Sequence, residues 1–413
     1  MSLLKVNTIQ HGSISSGGIE LAADGSVKVG GVQAPSGGGY GRRNLLINGD
    51  FKIQQRDPES ATSQSGYVYG ADQWFLKLES SGPILKSEQY VTYDGIVVVA
   101  QTNSADISQQ SSGQINVFGT AVEGSHFGGL SPNEPTVLSF KFSQAGLTLT
   151  NGVSYNLGGA IVNYNTQGSV SSSFPFQCTF TYDSANPNEV HTFEVAVPGK
   201  LIESDNYARL GVLFNLGSSS DMEVTTPPGT WVFTEVVGAT SAALRPYVYT
   251  QGSNKLWNIF NVQFEKGIKA TTFEFVPYEQ TLRECQRYFQ TLVSPKGLND
   301  EVFASGKTIT VQQGTSFINC MFKLPVRMYD KPDLYVSGED TQSAGDIEMR
   351  LDPSFTTGLD VVKYASNFWT ISHPTNDSFV LRFSYTTSPT TNTIYYLYNM
   401  STTLRLGAEA PLL

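Results

Sequence analysis

The stretch RNLLINGDFKIQQR, Arg43 to Arg56, follows a glycine-rich segment and indicates where a folded unit begins. The apolar run Leu45–Ile47 predicts a buried strand, and Asn48-Gly49 is a strong turn signal. The alternating residues after that turn predict a second strand. A chain that restarts in this way after a linker is typical of the first strands of a separate β domain.

The composition of the whole chain favours an all-β protein. Charged residues make up 15% of the sequence, against about 25% in ordinary soluble proteins. Gly, Ser, Thr, Asn and Gln replace them, and these residues suit turns and the polar faces of strands. An apolar content of 39% and an aromatic content of 12% suffice for real cores, and 413 residues predict two or three domains.

Charge and cysteine content narrow the classes of function and compartment. The net charge of −10 argues against nucleic acid as a partner, because phosphate binding needs a basic surface. Neutral ligands such as sugars are compatible with this net charge. The cysteines Cys178, Cys285 and Cys320 are far apart and odd in number, which predicts buried free thiols and a reducing compartment. Without a signal peptide or an apolar span, we expect a soluble chain that is not secreted by the ordinary route.

The chain divides into four predicted segments. Residues 1–40 hold a hairpin about Asp24-Gly25 and a glycine-rich linker, and such a hairpin needs partners because it is marginal alone. Residues 44–278 contain many short strands separated by turns, which predicts a jelly-roll-like β-sandwich. Residues 279–293 form a predicted linking helix, and residues 294–413 resume the strand pattern as a C-terminal β-sandwich tip.

The predicted helix carries one apolar stripe. Leu282, Cys285, Phe289 and Leu292 are spaced 3, 4 and 3 residues apart, and Thr281 is the predicted N-cap of a capping box with Glu284. The stripe packs either on a neighbouring sheet or on the axis of a short three-stranded bundle. Two heptads are too few for a coiled coil, so we favour packing on a sheet.

Two motifs resemble virion fibre domains of tailed bacteriophages. The opening NLLINGDFKIQQR with YGADQWF resembles their N-LL-NG-F start, and it is also similar to carbohydrate-binding jelly rolls associated with xylanases. The closing NVQFEKGIKATTFEFVPYEQTLRECQRYF resembles their last strand and helix with C-Q-R-Y. The terminal STTLRLGAEAPLL is similar to the ends of fibre tip domains. The first forty residues resemble the start of structural proteins of podophages that infect marine cyanobacteria.

This resemblance implies a tail fibre or related appendage, assembled in the host cytoplasm and located in the virion tail. Residues 1–40 would attach to another tail or head protein, and the C-terminus would face the host. A homotrimer is expected, since it closes strand edges that otherwise invite aggregation. The expected work is host attachment by receptor binding to a surface glycan or protein, with no nucleic acid partner and no membrane insertion. A structural Ca²⁺ follows from analogy with the jelly rolls alone; otherwise we expect no cofactor.

The sequence gives little support to catalysis. No G-x-S-x-G, HExxH or EF-hand motif is present, and His11, His126, His191 and His373 have no evident partner nearby. Glycan hydrolysis needs two facing carboxylates, which a sequence does not locate among 36 acids. Because no solenoid period appears either, we expect a non-enzyme. The alternatives are a purely structural head or tail appendage and a glycan-degrading tailspike.

Sugar binding needs exposed aromatic rings beside amide and carboxylate groups. Trp74, Trp231, Trp257 and Trp369 are the obvious rings, and Trp74 and Trp257 lie in the framing motifs, which predicts core positions. The predicted ligand-binding residues therefore lie in the C-terminal segment, where tyrosines such as Tyr396 are equally well explained by packing within the sheet. These predicted residues are Trp369, Asn367, His373, Asn376 and Tyr396.

Overall fold

The computed structural model describes a large part of the chain, with its densest coverage between residues 115 and 293. The described ranges are 8–9, 19–21, 27–29, 32–33, 42–55, 60–61, 67–78, 86–91, 97–102, 112–113, 115–145, 149–215, 218–224, 227–236, 238–239, 255–293, 308–310, 317–337, 347–350, 369–384, 394–399 and 405–409.

Strands dominate the described chain, as the composition predicts. In chain order they are β1 (Thr8–Ile9), β2 (Ile19–Leu21), β3 (Val27–Val29), β4 (Val32–Gln33), β5 (Ser60–Ala61), β6 (Tyr67–Tyr69), β7 (Trp74–Leu78), β8 (Lys86–Val91), β9 (Val97–Thr102), β10 (Asn116–Glu123), β11 (Thr136–Ser143), β12 (Ser154–Tyr164), β13 (Val170–Thr181), β14 (Val190–Val197), β15 (Ala208–Asn215), β16 (Glu223–Val224), β17 (Gly238–Ala239), β18 (Lys255–Lys266), β19 (Phe289–Val293), β20 (Thr308–Thr310), β21 (Phe317–Lys323), β22 (Asp333–Ser337), β23 (Ile347–Arg350), β24 (Trp369–Thr375), β25 (Ser378–Ser384), β26 (Ile394–Asn399) and β27 (Arg405–Glu409). The helices are α1 (Gly124–Phe127), α2 (Tyr278–Cys285) and a 3₁₀ turn at Ser220–Met222.

Two six-stranded antiparallel sheets form a sandwich. The first sheet has the order β13-β12-β15-β10-β7-β6, and the second has the order β14-β11-β18-β9-β8-β5. The chain passes repeatedly between the sheets, from β10 to β11, then to β12, and later from β14 to β15. Such alternation is the habit of jelly-roll folds. The predicted all-β sandwich is therefore confirmed.

Aromatic side chains fill the space between the two sheets. Phe140 from the second sheet lies against Phe214 from the first, with ring centroids 5.0 Å apart. Trp74 is fully buried and stacks on Phe118 at 5.2 Å. Alternation along each strand sends every second residue into this core, which is why the sequence pattern of period two predicts the sheets.

The opening segment, residues 42–55, contains no regular strand, so the predicted pair of strands here is wrong. Its backbone is held by asparagine side chains in place of a ladder. The amide oxygen of Asn44 accepts hydrogen bonds from the N–H groups of Leu46 and Phe264, each at 3.1 Å. Its amide nitrogen donates to the carbonyl of Val262 at 3.0 Å. These bonds tie the opening segment to β18.

The predicted Asn-Gly turn is present and buried. Asn48 has a φ of 55°, and its amide donates at 2.9 Å to the carbonyl oxygens of Ile53 and Asp72. Gly49 packs so closely that an added Cβ would lie 2.1 Å from the carbonyl oxygen of Val262. The motif therefore demands asparagine for its hydrogen bonds and glycine for its close approach.

The closing segment, residues 261–289, completes the same structure. The carboxylate of Glu274 accepts from the backbone N–H groups of Arg43 and Asn44 at 2.9 and 2.8 Å. The carboxylate of Glu265 accepts from the N–H of Thr271 at 2.7 Å. One polar network thus joins the two framing motifs. We call this network, which includes Asn44, Asn48, Glu265 and Glu274, the closure.

The predicted helix over residues 279–293 is too long. α2 ends at Cys285, where i-to-i+3 bonds from Arg287 and Tyr288 tighten the last turn. Residues 289–293 form β19 and pair with β27. Pairing of Phe289 with Glu409 in this sheet replaces the helical hydrogen bonding that the apolar spacing predicts.

The predicted capping box is also wrong. Pro277 occupies the N-cap without a side-chain bond, and the hydroxyl of Thr281 donates to the Pro277 carbonyl from within the helix. Glu284 forms an ion pair with Arg42 instead. The stripe residues within α2, Leu282 and Cys285, pack on the opening segment and not on a sheet, in one cluster with Ile47, Ile53 and Tyr288.

The ends of the chain are also built from antiparallel strands. The hairpin about Asp24-Gly25 is confirmed, since β2 pairs with β3 and places Leu21 opposite Val27. It lies within a four-stranded sheet of order β1-β2-β3-β4. Beyond α2 there are three-stranded sheets of order β19-β27-β22, β20-β26-β23 and β21-β25-β24.

Candidate functional site

The strongest candidate site is a cleft on the outer face of the first sheet. Trp74 and Leu76 of β7 point into the sandwich core, so Phe75 and Lys77 lie on the opposite face. The cavity there has a volume of about 170 Å³. We call it the tyrosine cleft, and its lining is Tyr67, Phe75, Lys77, Ile115, Val117, Tyr164, Gly168, Ser169, Val170, Leu213 and Glu235.

Aromatic rings are packed edge to face along one wall of the tyrosine cleft. The ring of Tyr67 meets Phe75 at 4.8 Å between centroids with an interplanar angle of 90°. Tyr69 meets the same ring at 5.9 Å. The ammonium group of Lys77 lies 5.4 Å from the Tyr67 centroid. Because Phe75 is buried and the two tyrosines are half-buried, a rigid apolar base supports rings that remain accessible.

Tyr164 brings a phenol hydroxyl to the same cleft. Burial raises the pKa of Tyr164 well above its ordinary value of 10.0, and the neighbouring Tyr67, Glu235 and Tyr69 raise it further. The hydroxyl therefore stays protonated and can donate a hydrogen bond. Gly211 makes room for the ring, since an added Cβ there would lie 2.7 Å from it.

The segment 231–236 brings Glu235 to the cleft by running along the edge strand β13. Ser173 exchanges backbone hydrogen bonds with Val232 at 2.9 and 2.8 Å. The hydroxyl of Ser173 also donates to the Thr234 carbonyl at 2.9 Å. These bonds fix the segment, so that the exposed Glu235 lies beside the phenol groups. Stacking rings, a phenol donor and a carboxylate acceptor are the groups that recognise a sugar ring and its hydroxyls.

A second and larger cavity lies where α2 meets the sandwich. It encloses about 900 Å³. We call it the charged groove, and its lining is Glu123, Ser125, His126, Asn206, Pro277, Glu279, Gln280, Arg283, Glu284, Arg287, Val326 and Arg327.

The floor of the charged groove is a buried ion pair. Glu123, at the end of β10, is 1% exposed. One of its oxygens accepts from Nε of Arg287 at 3.1 Å and from the hydroxyl of Tyr288 at 2.8 Å. The other accepts from the hydroxyl of Ser125 at 3.1 Å. The Arg-Tyr pair of the C-Q-R-Y motif therefore anchors the closing segment to the sandwich.

His126 borders this ion pair. Burial lowers the pKa of His126 from 6.5 to about 3, and the positive charges of Arg42 and Arg287 lower it further. The imidazole is therefore neutral at physiological pH, with one nitrogen a donor and the other an acceptor. The sequence shows no evident partner near His126, because Arg42 and Arg287 are distant in sequence.

Two of the three glutamates that line the groove are held in ion pairs. Glu123 pairs with Arg287, and Glu284 pairs with Arg42. A general acid or base has to exchange protons with a substrate, and a carboxylate fixed between arginine and tyrosine donors is poorly suited to that task. This arrangement favours a structural or binding role for the groove.

The ligand-binding residues predicted in the C-terminal segment remain a prediction. Trp369 and His373 lie in β24, and Tyr396 lies in β26 of a different sheet; their side chains and Asn367 lie outside the described residues. Asn376 is half-buried, and its amide nitrogen donates to the carbonyls of Met328 and Tyr329 at 3.2 and 3.1 Å. That side chain holds two segments together.

The other tryptophans and His191 lie in different surroundings. Trp74 is a core residue as predicted, whereas the side chain of Trp257 lies outside the described residues. Trp231 is half-buried and donates from its indole nitrogen to the Pro198 carbonyl at 3.0 Å. His191, expected at the surface, is half-buried beside Phe180 at 5.2 Å between centroids.

Cys178 and Cys285 are buried and form no disulfide, as predicted, and Cys320 lies in β21 with its side chain outside the described residues. Within the described ranges, no cluster of three or more His, Cys, Asp or Glu side chains is arranged to hold a metal ion. No helix in the described part of the chain has both the length and the apolar character of a membrane span.

Comparison with known proteins yields distant structural likenesses. No family model matches the chain, and no curated protein matches it. An arabinose-bound α-L-arabinofuranosidase is similar at 13% identity and a TM-score of 0.27, over 55% of this chain and 28% of that one. The CBM22-1 xylan-binding domain of a Paenibacillus barcinonensis protein is similar at 8% identity and a TM-score of 0.26, over 57% of this chain and 100% of that one.

A family 11 carbohydrate-binding module from Clostridium thermocellum, in complex with a β-1,3-1,4-mixed-linked tetrasaccharide, gives a TM-score of 0.25 at 8% identity, over 52% of this chain and 100% of that one. These scores are too low to carry an argument about ligands. The case for a binding site therefore rests on the geometry of the two cavities.

Proposed function

We propose that this chain is a non-catalytic adhesin that holds a neutral glycan in the tyrosine cleft. The supporting observation is the set of half-buried tyrosine rings on a rigid aromatic base, beside a protonated phenol and a carboxylate. Such rings stack on the C–H faces of a sugar, and the polar groups bind its hydroxyls.

The size of the cleft limits what it holds. Its volume of about 170 Å³ is below the ~300–1,000 Å³ of typical small-molecule pockets. We therefore expect one sugar residue to enter the cleft while its neighbours lie over open surface. Affinity at a single cleft would be low, and several copies on one particle would turn it into firm attachment.

The biological setting that we propose is a tail fibre of a tailed bacteriophage. It is supported by the two framing motifs and by the N-terminal hairpin, which suits an attachment segment. The proposed assembly is a homotrimer joined to another virion protein through residues 1–40. Sedimentation of the full chain and of a version lacking residues 1–40 tests this assembly. Trimers are expected in both, and monomers in both would contradict it.

Titration of the purified chain with neutral oligosaccharides tests the adhesin. Xylohexaose and a mixed-linked β-glucan tetrasaccharide are convenient probes, together with glycans released from the host envelope. We expect binding without release of reducing ends. No binding to any probe or to host envelope would favour a purely structural appendage, and released reducing ends would favour a glycan-degrading tailspike.

A matched pair of variants locates the binding. Tyr67→Ala removes the accessible ring of the tyrosine cleft, whereas Tyr278→Ala removes an exposed tyrosine of α2 that does not line it. Loss of one stacking contact, at about 1–3 kcal/mol, corresponds to about five- to 150-fold weaker binding. We expect this loss for Tyr67→Ala and an unchanged affinity for Tyr278→Ala.

A further inference from the structure

The charged groove has the size and enclosure of a binding site in its own right. Its volume of about 900 Å³ lies within the ~300–1,000 Å³ range of ligand pockets. Its lining comes from α2, from the end of β10 with α1, from Asn206, from Arg287 and from residues 326–327. It shares no lining residue with the tyrosine cleft.

Two of the three glutamates that line the groove form ion pairs with arginines of the protein. Glu123 pairs with Arg287, and Glu284 pairs with Arg42. Within the described residues, Arg283 makes no hydrogen bond or ion pair, although it lines the groove from the exposed face of α2. A guanidinium without an internal partner is thus available to an anionic ligand.

Arg327 adds a second available positive charge. Its side chain is 73% exposed, and its contact with Asp377 is a long one at 4.0 Å. Glu279, in the first turn of α2, is the exposed acid of the lining. The three arginines and three glutamates of the lining balance each other, and among the described residues Arg283 and Arg327 are its cations without a close acidic partner.

Uncharged hydrogen-bonding groups surround these arginines. His126 is neutral and makes no hydrogen bond within the described part of the chain, so both ring nitrogens are available. The amides of Asn206 and Gln280 also line the groove. Such a mixture of donors and acceptors matches sugar hydroxyls, while the planar guanidinium fork matches a carboxylate.

We propose that the charged groove binds a carboxylate-bearing saccharide, whose carboxylate pairs with Arg283 and whose hydroxyls meet His126 and the two amides. A peptide is less suitable, since Pro277 and Val326 are the apolar members of the lining and peptide ligands depend on apolar anchors. A polyphosphate is less suitable because three glutamates balance the three arginines of the lining, which leaves no net positive charge for several phosphate groups.

Calorimetric titration of the full chain with tri-galacturonate tests this proposal. Maltotriose is the neutral comparison ligand, and inorganic phosphate and hexaglutamate are the anionic comparison ligands that are not saccharides. Tri-galacturonate should bind more tightly than all three. Arg283→Ala should weaken that binding by at least about tenfold, since a charge-assisted hydrogen bond is lost, and Arg283→Lys should lie between Arg283→Ala and the wild type.

Lys269→Ala is the matched control, because Lys269 is an exposed cation outside the lining. It removes the same unit charge and should leave binding unchanged. A second readout is the NMR chemical shift of the His126 ring at pH 7, assigned through its absence in His126→Gln. Saturating tri-galacturonate should change this shift, because the proposed hydroxyl contacts lie at the ring nitrogens. Tyr67→Ala should change neither the affinity for tri-galacturonate nor the response of the His126 signal. A failure of this proposal can therefore be distinguished from a failure of the adhesin proposal.

Three results would overturn the proposal. They are an equal affinity of Arg283→Ala and Lys269→Ala for tri-galacturonate, an unchanged chemical shift of the His126 ring at saturating tri-galacturonate and pH 7, and phosphate or hexaglutamate binding as tightly as the saccharide. Tighter binding of hexaglutamate would point to an acidic protein partner, and tighter binding of phosphate to a phosphorylated ligand.

Discussion

The closure and the tyrosine cleft use polar groups in opposite ways. In the closure, Asn44, Asn48 and Glu274 are directed at backbone groups of the protein and leave little for a ligand. In the cleft, Tyr164 and Glu235 line an open cavity. The motifs that give the chain its family resemblance therefore build the fold, and the chemistry suited to a ligand lies elsewhere on the same sandwich.

The largest effect on folding should come from Trp74, the buried tryptophan of the opening motif. Trp74→Ala should lower the free energy of unfolding by about 3–5 kcal/mol, the usual cost of truncating a buried tryptophan. The ring packs on Phe51 and Phe118, and its N–H donates to the carbonyls of Ile47 and Asn48. Urea denaturation measures the change.

The control for this experiment is Phe233→Ala, whose side chain is 81% exposed. It should change the free energy of unfolding by no more than about 0.5 kcal/mol. Equal stabilities of the two variants would contradict the assignment of Trp74 to the core.

The next effect concerns the buried turn. Asn48→Ala should cost about 2–3 kcal/mol, because it leaves the backbone groups of Ile53 and the carbonyl of Asp72 without their partner. Asn48→Gly loses the same bonds but tolerates the φ of 55°. It should therefore be more stable than Asn48→Ala by about 1 kcal/mol. The reverse order would show that backbone strain does not matter at this position.

The charged groove predicts a pH dependence of stability. His126 has a pKa of 6.5 when unfolded and about 3 when folded. Below pH 6.5 the unfolded chain therefore binds the extra proton, and the free energy of unfolding falls as the pH falls from 6.5 towards 3. The difference in unfolding free energy between the wild type and His126→Gln isolates this contribution. A difference that stays constant over pH 3–6.5 would contradict a buried neutral imidazole.

The smallest expected effect on folding lies in the tyrosine cleft. Tyr67→Ala should lower the free energy of unfolding by about 1 kcal/mol, the contribution of its edge-to-face contact with Phe75. Its effect on glycan affinity should exceed its effect on stability. A loss of stability comparable to that of Trp74→Ala would mean that Tyr67 belongs to the core and not to a binding surface.

The sequence predicts the fold better than it predicts the sites. Period-two alternation is enough to find strands such as β11, where Leu138, Phe140 and Phe142 all enter the core. Helical spacing over 279–292 is misleading, because pairing of β19 with β27 depends on residues more than a hundred positions away. The sequence predicts the Asn48-Gly49 turn. It does not predict that hydrogen bonds from the side chains of Asn44 and Asn48, and not strand pairing, hold the opening segment.

The candidate sites are assembled across long distances, which explains why they are missed. The tyrosine cleft joins Tyr67, Tyr164 and Glu235, and the charged groove joins Glu123 to Arg287. Nothing local marks Tyr164 or Glu235 as site residues. The tyrosine-rich strand β6, directly before A-D-x-W, is a local signal for the cleft, whereas Trp74 itself is a core residue.

Hydroxyl-radical footprinting of the full chain, with and without its tightest neutral glycan, tests the central claim most directly. We expect peptides carrying Tyr67, Tyr69 and Val170 to be protected at saturation, and the exposed Phe275 and Tyr278 of the closing segment to react as before. Protection of the closing segment without protection of the cleft would contradict the assignment of the binding surface to the outer face of the first sheet.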